Sequence, residues 1–227
     1  MAAMIKLFKA LARAILPASN YRKLIFSRIY QIDRWGSDGS KFFSGVGSRG
    51  LPVGVYVDAV ARELTEPHTI VDLGCGDFVV GRELLKRFPE ALYIGCDIVP
   101  GLIQHHQRFY ADERVSFRVL DIVSERIPDG DVHLVRQVFQ HLSNADISRT
   151  LEKLRASPCV IVTEGLPMTE SGPVNPNKFV SGDTRFDTST GIGSGVHLDK
   201  PPFNKRLEEL CRVELPGSEQ IVTWRVR

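Results

Sequence analysis

Residues 69–78, TIVDLGCGDF, constrain the fold most strongly, because an apolar run leads there into glycines at alternate positions. Gly74 and Gly76 carry no side chain, so the backbone tolerates positive φ and a ligand can approach it closely. A helical pattern follows, and a second apolar run, 91–96, ends at Asp97. Strand, glycine turn, helix, strand and acid, in that order, are typical of the first half of a doubly wound α/β sheet.

Apolar strands and helical segments alternate through the middle of the 227-residue chain. Strands are predicted at 69–73, 91–96, 115–119, 131–135 and 158–163, and helices at 20–32, 51–64, 79–88, 100–110 and 144–156. This alternation indicates a parallel sheet with helices on both faces. Near the end, a short helical stretch over 205–210 precedes two strands around residues 216–218, which predicts a terminal antiparallel hairpin.

Composition indicates a globular chain with one substantial core. The sequence is 43% hydrophobic and 25% charged, and its net charge of +2 gives no general case for nucleic-acid binding. None of its four cysteines forms a Cys-x-x-Cys pair, which favours reduced thiols in a cytoplasmic protein over disulfides or zinc ligands. We predict an N-terminal helical extension over 1–50 and one α/β domain over 51–227.

A basic amphipathic helix is predicted over residues 4–16, where Lys6, Lys9 and Arg13 share the face opposite the apolar residues. No apolar run approaches the ~20 residues that span a bilayer, and the basic residues interrupt the apolar centre that a signal peptide requires. The helix is therefore expected to pack on its own domain or on a second subunit, or to make peripheral membrane contact.

A long segment over residues 165–202 interrupts the alternation. It is rich in Gly, Pro, Ser, Thr and Asn, and it shows little periodicity. Irregular segments of this length in a compact domain are usually functional and often act as lids. We therefore expect a substrate loop here.

The glycine turn also distinguishes between ligand classes. A dinucleotide site usually has G-x-G-x-x-G, in which the third glycine permits close packing of helix and strand. In this chain Val79 stands at the third position, and Asp72 lies inside the strand before the turn. Both features disfavour a pyrophosphate and favour a ligand that carries an ammonium and a sulfonium.

The run VDLGCG at 71–76 resembles the first motif of class I S-adenosylmethionine-dependent methyltransferases, and further motifs follow in order. Asp97 resembles the acid that binds the ribose hydroxyls, Asp121 with Ile122 resembles the pair at the adenine, and residues 131–142 resemble the fourth motif. The resemblance covers roughly residues 45–227. It implies a Rossmann-like, mostly parallel seven-stranded sheet and S-adenosylmethionine as cofactor. The cofactor-binding residues it implies are Gly47, Ser48, Asp72, Gly74, Gly76, Asp97, Ile98, Asp121, Ile122, Arg136 and Gln137.

Finer features resemble a bacterial branch that methylates sugar and glycan hydroxyls. They are SGVGS at 44–48, Arg136 with QHLS at 140–143, and Gly191 with PPFN at 201–204. This branch often carries an arginine before PPFN, where the present chain has SGVH. The branch implies a sugar or glycan acceptor and a role in polysaccharide biosynthesis. The 44–48 run either folds over the cofactor carboxylate or is a plain helix-capping loop.

His141 is the predicted general base, because it follows the fourth strand at the edge where open α/β sheets bind ligands. A base that takes the proton of a sugar hydroxyl typically accelerates transfer by ~10²–10⁴. Glu164 ends the fifth strand and is predicted to orient the imidazole, as in a triad. Alternatively, His141 caps its helix or contacts only the cofactor, and Glu164 is a solvated or salt-bridged acid. His105 and His106 are predicted to be surface residues.

The long loop supplies the candidate substrate and metal residues. Arg185, His197 and Asn204 are predicted to bind the acceptor. Asp187, His197 and Asp199 are a candidate Mg²⁺ site, because hard cations take carboxylate oxygens. No recognised ligand spacing supports the metal, and the same residues would serve equally to bind a sugar.

Together these features predict an S-adenosylmethionine-dependent O-methyltransferase that acts on a sugar or glycan hydroxyl. An alternative with the same fold is methylation of an amine or a carboxylate of a small metabolite, neither of which strictly needs a base. A non-catalytic module that binds the cofactor is an alternative of a different class.

Overall fold

The computed structural model describes residues 15–188 and 191–227, so the helix predicted over 4–16 lies almost entirely outside the described residues. No helix in the described ranges is long and apolar enough to cross a bilayer. Two short 3₁₀ helices, Val46–Ser48 and Phe139–His141, accompany the main elements. Those are α1 (Ala18–Gln31), α2 (Gly50–Glu63), β1 (Thr69–Leu73), α3 (Val79–Arg87), β2 (Leu92–Asp97), α4 (Pro100–Phe109), β3 (Val115–Val119), β4 (Val132–Arg136), α5 (Asn144–Lys153), β5 (Val160–Pro167), β6 (Leu207–Glu214) and β7 (Glu219–Val226).

The strands form one seven-stranded sheet in the order β3-β2-β1-β4-β5-β7-β6. The first five strands pair in parallel, and β7 runs antiparallel to both β5 and β6. The chain winds outward in one direction from β1 to β3 and then returns to place β4 on the other side of β1. This arrangement confirms the predicted doubly wound sheet with its terminal hairpin.

Both faces of the sheet are buried, because side chains alternate along each strand. Val71 and Leu73 of β1 belong to the core on one face, where α1 packs, and Ile70 belongs to the core on the other, where α2 and α3 pack. All three side chains are inaccessible to solvent. A sheet covered in this way offers ligands its carboxyl edge.

The short helix predicted over 205–210 is wrong, because β6 already begins at Leu207. The residues pair with β7 from Leu207 opposite Val226 onward, and a bulge lies between Glu209 and Cys211. The segment has the composition of a helix, but β7 offers it a pairing partner along one side at the edge of the sheet. Tertiary pairing therefore overrides local propensity.

Thr163 of β5 and Thr223 of β7 form a buried hydroxyl pair, with 3.0 Å between their Oγ1 atoms. Thr163→Val leaves the Thr223 hydroxyl buried without this partner, so we expect the free energy of unfolding to fall by about 1–3 kcal/mol. The double valine variant removes both polar groups and should recover most of the loss. Urea denaturation followed by circular dichroism measures both effects, and additive losses would contradict the prediction.

Candidate functional site

A cavity of about 800 Å³ opens at the carboxyl edge of the sheet, where β1 and β4 lie side by side. This is the point at which the strand order reverses, the usual ligand site of such sheets. Every predicted cofactor residue lines it: Gly47, Ser48, Asp72, Gly74, Gly76, Asp97, Ile98, Asp121, Ile122, Arg136 and Gln137. His141 lines it as well. Residues far apart in sequence are thus brought into one chamber.

The turn after β1 lines the cavity and requires glycine at two positions. Gly74 and Gly76 have φ values of +85° and +53°, and a Cβ on either would collide with Val138 or Ser44. Only glycine satisfies both the left-handed backbone and the close approach.

His106 supports this turn from below, contrary to the prediction that it is a surface residue. Its side chain is buried, and its Nε2 lies 2.7 Å from the carbonyl oxygen of Gly76. The ring also packs on Phe78 and Phe117. His105 on the same helix is only partly exposed. The prediction for His106 was wrong because its imidazole is buried in an aromatic cluster, where it meets the Gly76 carbonyl oxygen in place of water.

Two buried carboxyl groups face the cavity beside the turn. Asp72 accepts a hydrogen bond from the Tyr93 hydroxyl at 2.6 Å, and Asp97 accepts from the backbone N–H of Gly76 and of Val99. Burial raises the pKa of each to about 6, and these hydrogen bonds oppose the rise. Both are therefore mainly ionised at neutral pH and suit a cationic ligand.

The 44–48 segment is tied to the turn by reciprocal hydrogen bonds. The Ser44 N–H donates to Asp77, and the Asp77 N–H donates to the Ser44 Oγ. Arg136 donates from Nη2 to the carbonyl oxygen of Gly47 at 2.7 Å. The buried Nε of Arg136 has no hydrogen-bond partner among the described residues. This donor remains for a ligand group, such as a carboxylate.

At the opposite end of the cavity, Asp121 is paired with Arg22 of α1. The Nη2 of Arg22 lies 2.6 Å from Asp121 Oδ2. Burial alone would raise the pKa of Asp121, but hydrogen bonds from Arg22 and Ser124 outweigh it and hold that pKa below its usual value. Arg22 also approaches Asp146 at 3.5 Å.

Helix α1 forms a wall of the cavity that the sequence analysis missed. Arg22, Phe26 and Tyr30 recur at four-residue spacing on one face, and all three line the cavity. Arg34 and Trp35, just beyond the helix, line it too. The signal that could have found them is this stripe of large side chains at helical spacing.

His141 sits in the cavity wall with a defined tautomer. Its Nδ1 lies 3.3 Å from the carbonyl oxygen of Asp183, which can only accept, so Nδ1 carries the proton. Its Nε2 is the acceptor and lies 3.4 Å from the side-chain nitrogen of Gln140. The ring packs on Trp35 at 5.2 Å and meets Phe26 edge-on. Burial lowers the pKa of His141 to about 4, and the ammonium of Lys178 strengthens the effect. The imidazole is therefore neutral at physiological pH.

Glu164 does not occupy the predicted place beside the imidazole. It is completely buried, and its two carboxyl oxygens accept from the backbone N–H groups of Phe139 and Gln140 at 2.9 and 3.0 Å. The carboxyl group thus caps the 3₁₀ turn that carries His141, whereas the ring itself is held by Asp183. Glu164 was predicted to end the fifth strand, but β5 continues to Pro167, so Glu164 lies inside the strand, and its side-chain direction was not readable from the sequence.

The predicted substrate residues separate in space. Arg185 lines the cavity and donates to the Leu142 carbonyl oxygen and to Asn144 Oδ1, whereas His197 and Asn204 lie outside the cavity. His197 faces Glu170 at 3.3 Å. The loop folds back on itself through a bridge between Phe186 and Gly193. His197 and Asn204 therefore lie away from the cavity, although they follow Arg185 closely in the sequence.

The candidate Mg²⁺ residues are likewise divided. Asp187 lines the cavity, and His197 and Asp199 do not. Within residues 15–188 and 191–227, no group of three or more His, Cys, Asp or Glu side chains could hold a metal ion.

Burial raises the pKa of Glu164 to about 8, so the folded protein retains a proton that the unfolded chain releases near its ordinary value of 4.5. Its contribution to stability is therefore fully present below about pH 4.5, is lost progressively as pH rises from 4.5 through 8, and changes little above that. We expect Glu164→Gln, which cannot ionise, to gain stability relative to the wild type between pH 5 and 8, by about 1.4 kcal/mol per pH unit.

Chemical denaturation at pH 5.5, 6.5 and 7.5 measures this difference. The control is Glu90→Gln, which alters a side chain that is 92% exposed and should track the wild type. Parallel pH profiles for Glu164→Gln and the wild type would contradict the assignment of a protonated Glu164.

Comparison with known proteins agrees with this geometry. A family model described as a methyltransferase domain matches residues 70–157. The chain is 27% identical over 158 residues to acetylserotonin O-methyltransferase of Bos taurus, and this alignment covers 66% of this chain and 44% of that protein. It is 31% identical over 86 residues to malonyl-[acyl-carrier protein] O-methyltransferase of Acetivibrio thermocellus, covering 37% of this chain and 30% of that protein. The chain thus spans less than half the length of these relatives.

Solved structures show the same architecture. Human N-acetylserotonin methyltransferase in complex with SAM superposes with a TM-score of 0.52 at 15% identity, covering 96% of this chain and 58% of that one. The N-methyltransferase NodS from Bradyrhizobium japonicum, in complex with S-adenosyl-L-homocysteine, gives a TM-score of 0.50 at 14% identity, covering 75% and 84%. With its strand order and its match over residues 70–157, the chain has the fold of the class I S-adenosylmethionine-dependent methyltransferases.

Proposed function

We propose that this protein is an S-adenosylmethionine-dependent O-methyltransferase whose acceptor is a hydroxyl of a sugar or glycan precursor. The observation that carries the proposal is the convergence of every predicted cofactor residue and of His141 on one cavity. The two relatives compared by sequence above are also O-methyltransferases, and their names indicate different substrates.

The cavity fits the proposed cofactor at the level of individual groups. Gly74 and Gly76 line the cavity and present bare backbone, against which a ligand could lie. Asp72 and Asp97 supply negative charge there, and the unpartnered Nε of Arg136 would meet the methionine carboxylate. When bound, S-adenosylmethionine supplies an electrophilic methyl group on a sulfonium, so much of the acceleration comes from positioning the acceptor.

His141 is the proposed general base. Its Nδ1–H donates to the Asp183 carbonyl oxygen, and its Nε2 lone pair, which now faces the Gln140 side-chain nitrogen at 3.4 Å, would accept the proton of an acceptor hydroxyl that replaces this long contact. The carbonyl also steadies the imidazolium that forms. Because burial holds the imidazole pKa near 4, His141 is a weak base, so we expect its contribution at the lower end of the usual range of ~10²–10⁴, or below it.

The part of the cavity around His141 suits a ring that carries hydroxyl groups. Trp35 offers an aromatic face, on which the C–H face of a sugar ring can pack. The buried Oε1 of Gln140 has no hydrogen-bond partner among the described residues and would accept from a hydroxyl. Arg34 and Asp183, which pair at 2.6 Å, border the same space.

Methylation of a carboxylate is the second candidate. The low pKa of His141 favours it, because a carboxylate acceptor has no proton to lose at neutral pH. Transfer of a labelled methyl group to a panel of saccharides, hydroxylated metabolites and carboxylic acids separates the two candidates. Incorporation into carboxylic acids alone would overturn the sugar proposal.

His141→Asn retains a side-chain N–H that can donate to the Asp183 carbonyl and removes the Nε2 acceptor. We expect kcat to fall tenfold or more at saturating cofactor, with little change in affinity for S-adenosylhomocysteine. His68→Asn, which alters an exposed histidine, is the matched control. An unchanged kcat in His141→Asn would exclude a base at this position and favour the carboxylate candidate.

Affinity for S-adenosylmethionine should depend on pH through Asp72 and Asp97, whose pKa values lie near 6. Protonation removes the charges that face the cation, so we expect binding at least tenfold weaker at pH 5.0 than at pH 7.5 by calorimetry.

Tyr93→Phe removes a hydrogen bond that lowers the pKa of Asp72. The pH at which affinity for S-adenosylmethionine is half lost should therefore move to a higher value. Tyr110→Phe, whose ring packs on the same Phe78 side chain, should leave the midpoint unchanged. An affinity that does not vary over this range would contradict the role of the two acids.

A further inference from the structure

The carboxylate of Asp121 is saturated with donors from the protein itself. It accepts from Arg22 Nε at 3.1 Å and Nη2 at 2.6 Å, from the Val123 N–H at 3.1 Å and from the Ser124 hydroxyl at 2.6 Å. An ionised carboxylate offers about four acceptor positions. A fifth donor, such as the exocyclic amine of adenine, would have to displace one of these four.

Arg22 is built into this end of the cavity. Its side chain is 5% exposed, it lines the cavity, and it is held by Asp121 and, at 3.5 Å, by Asp146. A guanidinium has five N–H donors in a planar fork, and the contacts with Asp121 use only two of them. Nη1 also faces Asp146, and the donors that remain belong to a side chain that lines the cavity.

Helix α1 extends this contact along the whole cavity. Phe26, one turn after Arg22, meets the His141 ring at 6.1 Å. Tyr30, a further turn on, hydrogen-bonds to Ser44 beside the glycine turn. The helix therefore spans from the Asp121 end to the glycine-turn end and forms a wall of the same site.

We propose that Arg22 is the residue that recognises the purine, and that Asp121 acts through it as a positioning residue. This inference rests on the proposed function, because it assumes that S-adenosylmethionine and its product bind in the cavity. A guanidinium donates hydrogen bonds, so it recognises acceptor atoms of the purine ring and has no use for the exocyclic amine. Docking of α1 is then part of cofactor binding.

The test compares S-adenosylhomocysteine with its deamino analogue, in which hydrogen replaces the exocyclic amine and the ring nitrogens remain acceptors. We expect the wild type to bind both with Kd values within threefold. Recognition of the amine by Asp121 would instead make the deamino analogue bind at least tenfold more weakly. That result would overturn the proposal without any variant.

Variants supply the second measurement. Arg22→Met should weaken binding of both ligands at least tenfold, whereas Arg28→Met, on the exposed side of the same helix, should stay within twofold of the wild type. Thermal melting by circular dichroism establishes that each variant is folded. Retention of wild-type affinity in Arg22→Met would overturn the proposal. A wild type that binds neither ligand at millimolar concentration would refute the proposed function instead.

Discussion

The close approach of backbone segments around Gly74 and Gly76 is the constraint on which the site depends. Val138 and Ser44 press against this turn from two sides, so no side chain can be accommodated at either glycine. The turn in turn places the carboxylates of Asp72 and Asp97 at the rim of the sheet. These groups are buried yet mostly ionised at neutral pH, an arrangement that favours a cationic ligand.

A second set of contacts joins helix α1 and the long loop on the wall of the cavity that carries His141. Helix α1 contributes Arg22, Phe26 and Tyr30, and the loop after it contributes Trp35, which donates from Nε1 to the carbonyl oxygen of Gly182. The helix and the long loop thus meet over His141. Their contact removes the imidazole from water, which lowers its pKa, and brings the Asp183 carbonyl oxygen to Nδ1, which fixes its tautomer.

Much of this could be predicted from the sequence. Strands β1 and β3 begin and end where the apolar pattern places them, because parallel strands buried on both faces read as continuous apolar runs. The glycines and acids at the strand ends were also found, since each strand delivers its last residue to the same edge. The errors fall where side-chain direction decides. Glu164 turns toward the backbone of residues 139–140, and His106 turns inward beneath the glycine turn.

The sequence by itself determined the alternation of elements and the position of Asp72, Asp97 and Asp121 along the chain, because hydrophobic period and strand ends are local properties. Only the tertiary structure decided which groups meet. The contact of Arg22 with Asp121 joins residues 99 positions apart, and that of His141 with Asp183 joins residues 42 positions apart. Such pairings depend on how helix α1 and the long loop pack over the sheet, and no local pattern encodes that packing.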